Sequence, residues 1–370
     1  MLSASQVALI AGLFILFMPF SHSAVSAAPA LGSGHHVWAP VGNGLNYYVT
    51  SISVDGSNVY VGGNFSNAGG VSYADNIALW NGSAWQALGE GLNNTVEAIL
   101  RVGPWLYVAG TFTDAGGDPS ADYLARWDGS YWSAVGNPKL DGANYVFAMA
   151  TDGTNLYVGG QFTEIGGVAG TDHVAMWDGS TWSALDTGIN TNVLSLAYWD
   201  STLYEGGQLP GPFRKFVGGS WTAISGINNL VSRLFTDGAD LYLGGQFLDA
   251  GGNLAADKIA RYDGKSFYAL GTGLSDPPTA MVQYNGELIF GGYFTDAGGD
   301  AAADYIARWD GIAWHNIGEG VTGSIYTLGW RGDDLYAGGF FVDAHADPLQ
   351  DNLIVWVDAF TSYLPVLIKN

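Results

Sequence analysis

Seven times the chain writes a short apolar run that ends in a glycine pair, with Ala for the first glycine in one copy and usually Phe two residues later. The copies end at Gly62-Gly63, Ala109-Gly110, Gly159-Gly160, Gly206-Gly207, Gly244-Gly245, Gly291-Gly292 and Gly338-Gly339. Successive second glycines lie 47, 50, 47, 38, 47 and 47 residues apart. A period in this range, built from β-prone units, specifies a solenoid or a propeller rather than a string of independent domains.

Within one unit the pattern resolves into four strands. Val96 to Leu100 is β-prone, Gly103-Pro104 turns, and Leu106-Tyr107-Val108 runs into the glycine pair. A longer loop then leads to Tyr123-Leu124-Ala125-Arg126-Trp127, Asp128-Gly129 turns again, and Trp132 to Val135 closes the unit. Asp-Gly pairs suit tight type I′ hairpins, so each unit reads as an antiparallel meander. The predicted fold is all-β: a seven-bladed β-propeller of four-stranded antiparallel blades. The glycine pairs belong where strands crowd near the axis and a Cβ would clash or φ is positive. Trp80, Trp127, Trp177, Phe216, Tyr262, Trp309 and Trp356 recur at the end of strand three and are expected to pack between blades.

The ends bear on closure. Trp38 to Leu45 matches Trp85 to Leu92, which is a fourth strand without a blade of its own, while the seventh unit fades after Trp356. The ring is therefore expected to close by this N-terminal strand docking on the last blade. The competing arrangement uses the tail Phe360 to Ile368 as the last fourth strand. The division that follows is a secretory signal at 1–28, a propeller at 29–358 and a hydrophobic tail at 359–370.

The signal assignment rests on Val7 to Phe20, fourteen almost wholly apolar residues followed by small ones. That is shorter than the roughly 20 residues a spanning helix needs, and a V-S-A or S-A-A site suits cleavage. No basic residue precedes it, the first being Arg101, so an uncleaved anchor is the other reading. Later apolar runs break at Gly or Asp too soon to span a membrane. There are no cysteines, which excludes disulfides, thiolate metal sites and cysteine nucleophiles. The net charge of −22 repels phosphate backbones, so nucleic acid is not an expected partner.

A propeller places the strand 2–3 and 4–1 loops on one face, here long and acidic, and the tight turns on the other. The aspartates of the turn face are read as turn formers. On the loop face an acid or amide pair recurs eight residues apart, as in Asp114/Asp122, Glu164/Asp172 and Asp296/Asp304. Asp118, Asp300 and, within the Asp343/Asp351 pair, Asp347 add a middle carboxylate. Within one such loop, Asp114, Asp118 and Asp122 or Asp296, Asp300 and Asp304, with backbone carbonyls, could hold calcium, which favours six to eight oxygens. The same aspartates could instead cap their own loops' N–H groups. The fourth unit breaks the pattern. Its 2–3 loop shrinks to Gln208 to Pro212, Glu205 replaces an apolar residue, and Arg214-Lys215 form an adjacent basic pair. Glu205, Arg214 and Lys215 are thus candidates for a groove that takes a polar ligand, and Tyr73, Tyr123, Tyr293 and Tyr305 for stacking on sugars.

The unit L-Y-V-G-G-x-F…I-A-x-W-D-G-x-x-W-x-x-L-G-x-G-L resembles kelch-like and galactose-oxidase-like propeller repeats. It is most similar to the Rax2-like repeats of exported surface proteins, from about Trp38 to Trp356. The resemblance implies a propeller and leaves function open, since such repeats occur in enzymes, lectin-like modules and adhesion scaffolds. Galactose oxidases need a Tyr–Cys cross-link at copper, which a chain without Cys does not supply. The six histidines form no H-x-H or H-E-x-x-H motif, and no G-x-S-x-G occurs. The expected function is an exported, monomeric, non-catalytic propeller at the cell surface, binding a protein or glycan partner through its acidic loop face. The alternative is a secreted carbohydrate-active hydrolase or lyase with carboxylate catalysts at the central mouth.

Overall fold

The computed structural model describes residues 36–136, 140–142, 145–284, 286–318, 320–342 and 351–358. Seven four-stranded antiparallel sheets follow one another around an axis. Their innermost strands are Val49–Asp55, Val96–Val102, Tyr145–Thr151, Val193–Trp199, Val231–Thr236, Pro278–Tyr284 and Ser324–Arg331. These head blades 1 to 7, and each inner strand packs on that of the next blade, the seventh on the first. A small extra ribbon pairs Leu140–Asp141 with Glu164–Ile165. The expected signal segment, the hydrophobic tail, His345, Asp343 and Asp347 lie outside the described residues.

Closure uses the N-terminal strand. His36–Pro40 pairs antiparallel with Leu353–Asp358, the third strand of blade 7, with Trp38 opposite Trp356 and Pro40 opposite Ile354. The outermost position of the last blade is thereby filled, and the two indole rings meet at 5.1 Å between centroids. At the inner edge the ring is sealed by Thr327, whose Oγ1 accepts the Ile52 N–H at 2.9 Å. The blade-terminal aromatics pack as expected. Each of Trp80, Trp127, Trp177, Phe216, Tyr262 and Trp309 sits tilted against the first aromatic of strand four, at 4.8 to 5.3 Å. In five blades that second residue is a Trp whose Nε1–H donates to a carbonyl of the preceding 4–1 connection, such as Trp132 to Leu88 at 2.9 Å and Trp182 to Val135 at 3.1 Å. One side chain thus contributes both apolar burial and a directional inter-blade link.

The glycine pairs are there for close approach, not for a left-handed φ. A Cβ on the second glycine would lie 1.9 Å from the Tyr145 carbonyl oxygen at Gly160 and 2.0 to 2.2 Å from the equivalent oxygen at Gly63, Gly110, Gly245 and Gly339. On the first glycine the nearest atom it would meet belongs to a side chain of the next blade, for example Val193 at 2.3 Å from Gly159, with backbone oxygens no nearer than 3.0 Å. Side chains can give way and a paired backbone cannot. Blade 2 illustrates this by carrying Ala109 at the first position, buried in one cluster with Val146. We expect Gly160→Ala to cost about 3 kcal/mol in urea unfolding and Gly159→Ala about 1 kcal/mol. Equal losses would show that the backbone contact is not the constraint.

Candidate functional site at the axial mouth

Every inner strand breaks register at its second or third residue: a bulge falls at Thr50, Glu97, Phe147, Leu194, Ser232, Thr279 and Tyr326. A bulge leaves one residue without a partner and re-aims its side chain. Repeated seven times at the loop-face end of the inner strands, it supplies a ring of side chains around an axial channel of about 250 Å³. Where these are hydroxyls they serve the scaffold. Thr50 and Thr279 donate to carbonyls of their own blade and of the next, Val96 and Ile325.

Two side chains around the channel carry charge. Glu97 of blade 2 lines the channel, and Arg233 of blade 5, the residue after its bulge, lines it from another side. Burial pushes the Glu97 carboxyl above the usual range, and the attraction of Arg233 only partly offsets this. Burial likewise lowers Arg233, against the pull of Tyr293 and Glu97. The guanidinium is held in place by its neighbours: Nε donates to the Thr279 carbonyl at 2.8 Å and Nη1 to the Ser232 carbonyl at 2.9 Å.

Around the opening the repeat gives way to aromatics. The residue after each glycine pair is Asn64, Thr111, Gln161, Gln208 and Gln246 in five blades, but Tyr293 and Phe340 in blades 6 and 7. Tyr293 lies 5.9 Å from Tyr326, Tyr326 lies 6.3 Å from Tyr48, and Tyr47 bridges Tyr48 at 4.8 Å and Phe340 at 5.9 Å. Burial and the neighbouring Tyr293 push the Tyr326 phenol up to about 12. Tyr145 stacks on Phe147 at 5.7 Å from blade 3. Tyr47, Tyr293 and Phe340 are all close to half exposed.

The sequence-predicted residues are placed as follows. Tyr293 belongs to this mouth. Tyr123 and Tyr305 are partly buried against blade cores, with φ of 63° and 60°. Their site in blades 1, 3, 5 and 7 holds Asn76, His173, Lys258 and Asn352, all left-handed. Three of these four reach back to a 4–1 connection, as Asn76 does to the Leu92 carbonyl. Tyr73 is exposed, also with positive φ.

Glu205 and Arg214 do not face solvent together with Lys215. They oppose each other across strands two and three of blade 4, both buried, with Arg214 Nη1 2.9 Å from Glu205 Oε2. Lys215 opposes Tyr204 and is only partly buried. The other blades fill this cross-strand site with apolar pairs such as Val61–Ala78, Val108–Ala125, Val158–Ala175 and Leu243–Ala260. Arg214 also donates to the Pro210 carbonyl and lines a groove with Asp172, His173 and Trp221.

The loop aspartates are occupied by their own loops. Asp122 Oδ1 accepts the Asp114 N–H at 2.8 Å, and Asp304 accepts the Asp296 N–H at 2.8 Å. Asp118 accepts from Ser120 and Ala134, and Asp300 from Ala302. Asp114 and Asp296 take left-handed φ at the start of a short 3-10 turn. Among the described residues no three carboxylates or histidines gather as a metal-holding group. The turn-face aspartates behave as turn formers: Asp128, Asp178 and Asp310 each accept two backbone N–H groups, which lower their pKa values, that of Asp310 to about 2.

Sequence reasoning missed Glu97, Arg233, Tyr47, Tyr48, Tyr326 and Phe340. For Glu97, Tyr326 and Phe340 the available signal was a column comparison, since the residue after each glycine pair and the one after the apolar start of strand one are where the copies disagree; Arg233, Tyr47 and Tyr48 lie outside those two columns.

No protein-family model matches the chain, and no curated protein matches it. Solved structures do resemble it. The computationally designed Ika8 protein aligns over 86% of this chain and 99% of its own, with 14% identity and a TM-score of 0.50. Two structures of the extracellular domain of BT4673 from B. thetaiotaomicron align over 87% of this chain, with 12% and 13% identity and TM-scores of 0.54 and 0.56. That protein is described in one as a hybrid two component system and in the other as a one component system. The chain spans 39% of those two structures. The likeness agrees with the β-propeller fold, and the count of seven blades comes from the sheets themselves.

Proposed function

We propose that this chain is an exported, non-catalytic propeller of the Rax2-like kind, which binds a protein or glycan partner through its loop face. The contact centre is the aromatic mouth of the axial channel. The observation that carries this reading is where the repeat fails: Tyr47, Tyr48, Tyr293, Tyr326 and Phe340, from three successive blades, converge on one opening. Half-exposed aromatic rings supply large contact area at small entropic cost and suit sugar faces and protein hot spots alike. An extracellular setting, as in the BT4673 domains, agrees with the apolar N-terminal segment read as an export signal. The competing hydrolase reading needs two carboxylates flanking a bond. Among the described residues lining the channel, Glu97 is the single carboxylate.

A glycan array and a displayed peptide library, each screened with wild type, test the proposal. Binders should weaken at least about tenfold with Tyr293→Ala or Phe340→Ala. Hits that are indifferent to both substitutions would place the binding surface elsewhere, and turnover of a polysaccharide would favour the enzyme.

A further inference from the structure

We infer that the axial channel is itself a site for a small zwitterion of the α-amino-acid class, its carboxylate on Arg233 and its ammonium on Glu97. This goes beyond the macromolecular partner proposed for the face and stands whatever that partner is.

Glu97 and Arg233 are the charged side chains among the described residues lining the channel, and they are opposite in sign. Each feels the other's charge, yet no ion pair closes between them within 4.0 Å. Arg233 is oriented by its two backbone acceptors, while its Nη2 has no acceptor among the described residues. The Glu97 carboxylate likewise has no hydrogen-bond donor among them. Two partly desolvated charges of opposite sign, not paired with each other, face one space. A simple anion there would meet Glu97, and a simple cation would meet Arg233. A molecule carrying both charges satisfies both, with a charge-assisted hydrogen bond at each end. Net neutrality matters too, because a chain of net charge −22 repels approaching anions at long range.

The rest of the lining sets the side chain. Beyond the charged pair the wall mixes the hydroxyl-bearing Ser51, Ser195 and Thr327 with the apolar Met149, Leu234 and Leu328. The volume, about 250 Å³, compares with roughly 150 Å³ for an apolar cavity that takes up benzene. An amino acid with a leucine- or methionine-sized side chain fits that space.

Isothermal titration of the full-length protein decides the matter, using L-leucine, L-methionine, 4-methylpentanoate (carboxylate only) and 3-methylbutylamine (ammonium only). The amino acids should bind, with each single-charge analogue at least about tenfold weaker. Arg233→Gln and Glu97→Gln should each weaken leucine about tenfold or more, Glu97→Gln sparing 4-methylpentanoate and Arg233→Gln sparing 3-methylbutylamine. Melting curves report whether the variants fold, and Arg233→Lys, which keeps the charge, should retain part of the affinity. No heat from either amino acid at about 10 mM, analogues equal to leucine, or folded variants that bind leucine like wild type would each overturn the assignment.

Discussion

Deleting residues 36–44 from the otherwise full-length chain should remove on the order of 5 kcal/mol of stability, a large part of the 5–15 kcal/mol typical of a folded domain. The segment contributes the five-residue ladder to Leu353–Asp358 and two buried apolar side chains, Trp38 and Val41. Trp38 packs in one cluster with Trp356, Ile317 and Ile354. Gly318 fits only because it lacks a Cβ, which would stand 2.6 Å from the Trp356 ring. Losing Trp38 alone, as Trp38→Ala, should cost about 3 kcal/mol. The deletion also leaves Leu353–Asp358 as a bare edge in the last blade, an invitation to pair with other chains. Thermal melting and size-exclusion chromatography would read both effects. A truncated chain that melts with the parent and stays equally dispersed would mean the closure strand holds nothing together.

Breaking the Glu205–Arg214 pair should be almost as costly. Arg214→Ala leaves Glu205 buried with no counter-charge, an arrangement that typically costs about 3–5 kcal/mol. Replacing both, as Glu205→Leu with Arg214→Met, restores the apolar character of this site in other blades at similar volume, and should be neutral or stabilising by about 1–4 kcal/mol. Burial pushes Glu205 up to about 7, against the attraction of Arg214, so its folded value lies above its unfolded one. The neutral acid is therefore the form the fold favours, and stability from this group is lost as the pH rises from about 4.5 through about 7. The loss in Arg214→Ala should accordingly be smaller at pH 5 than at pH 8. Urea unfolding of the two variants at both pH values would show it. If the double variant is as unstable as the single one, the pair serves packing shape rather than charge balance.

Glu205 also shows why a site residue can be misread from sequence. It looks like an acid next to a shortened loop, beside a basic pair. The second strand of a blade, however, is covered on both faces by neighbouring blades, and Leu203 to Gly207 are all buried. Alternation in such a strand does not separate inside from outside, so Glu205 and Arg214 close on each other. The loop aspartates were ambiguous for a different reason. Eight-residue spacing serves equally for a metal or for a carboxylate reaching back to its own loop's N–H, and the contact of Asp122 Oδ1 with the Asp114 nitrogen becomes visible only in the folded loop.

Taken alone, the amino-acid sequence determined the architecture: seven units, four strands each, a closing strand at Trp38, and aromatic packing between blades. These follow from local rules of turn chemistry, strand propensity and close backbone approach, which act over a few residues and are written seven times. The axial mouth was decided by the tertiary structure. Glu97 and Arg233 are 136 residues apart in the chain and look like ordinary strand residues. Seven bulges and the closing of the ring turn them toward one space, together with Tyr48, Tyr293 and Tyr326. The repeat could not announce that meeting, because it depends on distances across the ring that no spacing along the chain encodes.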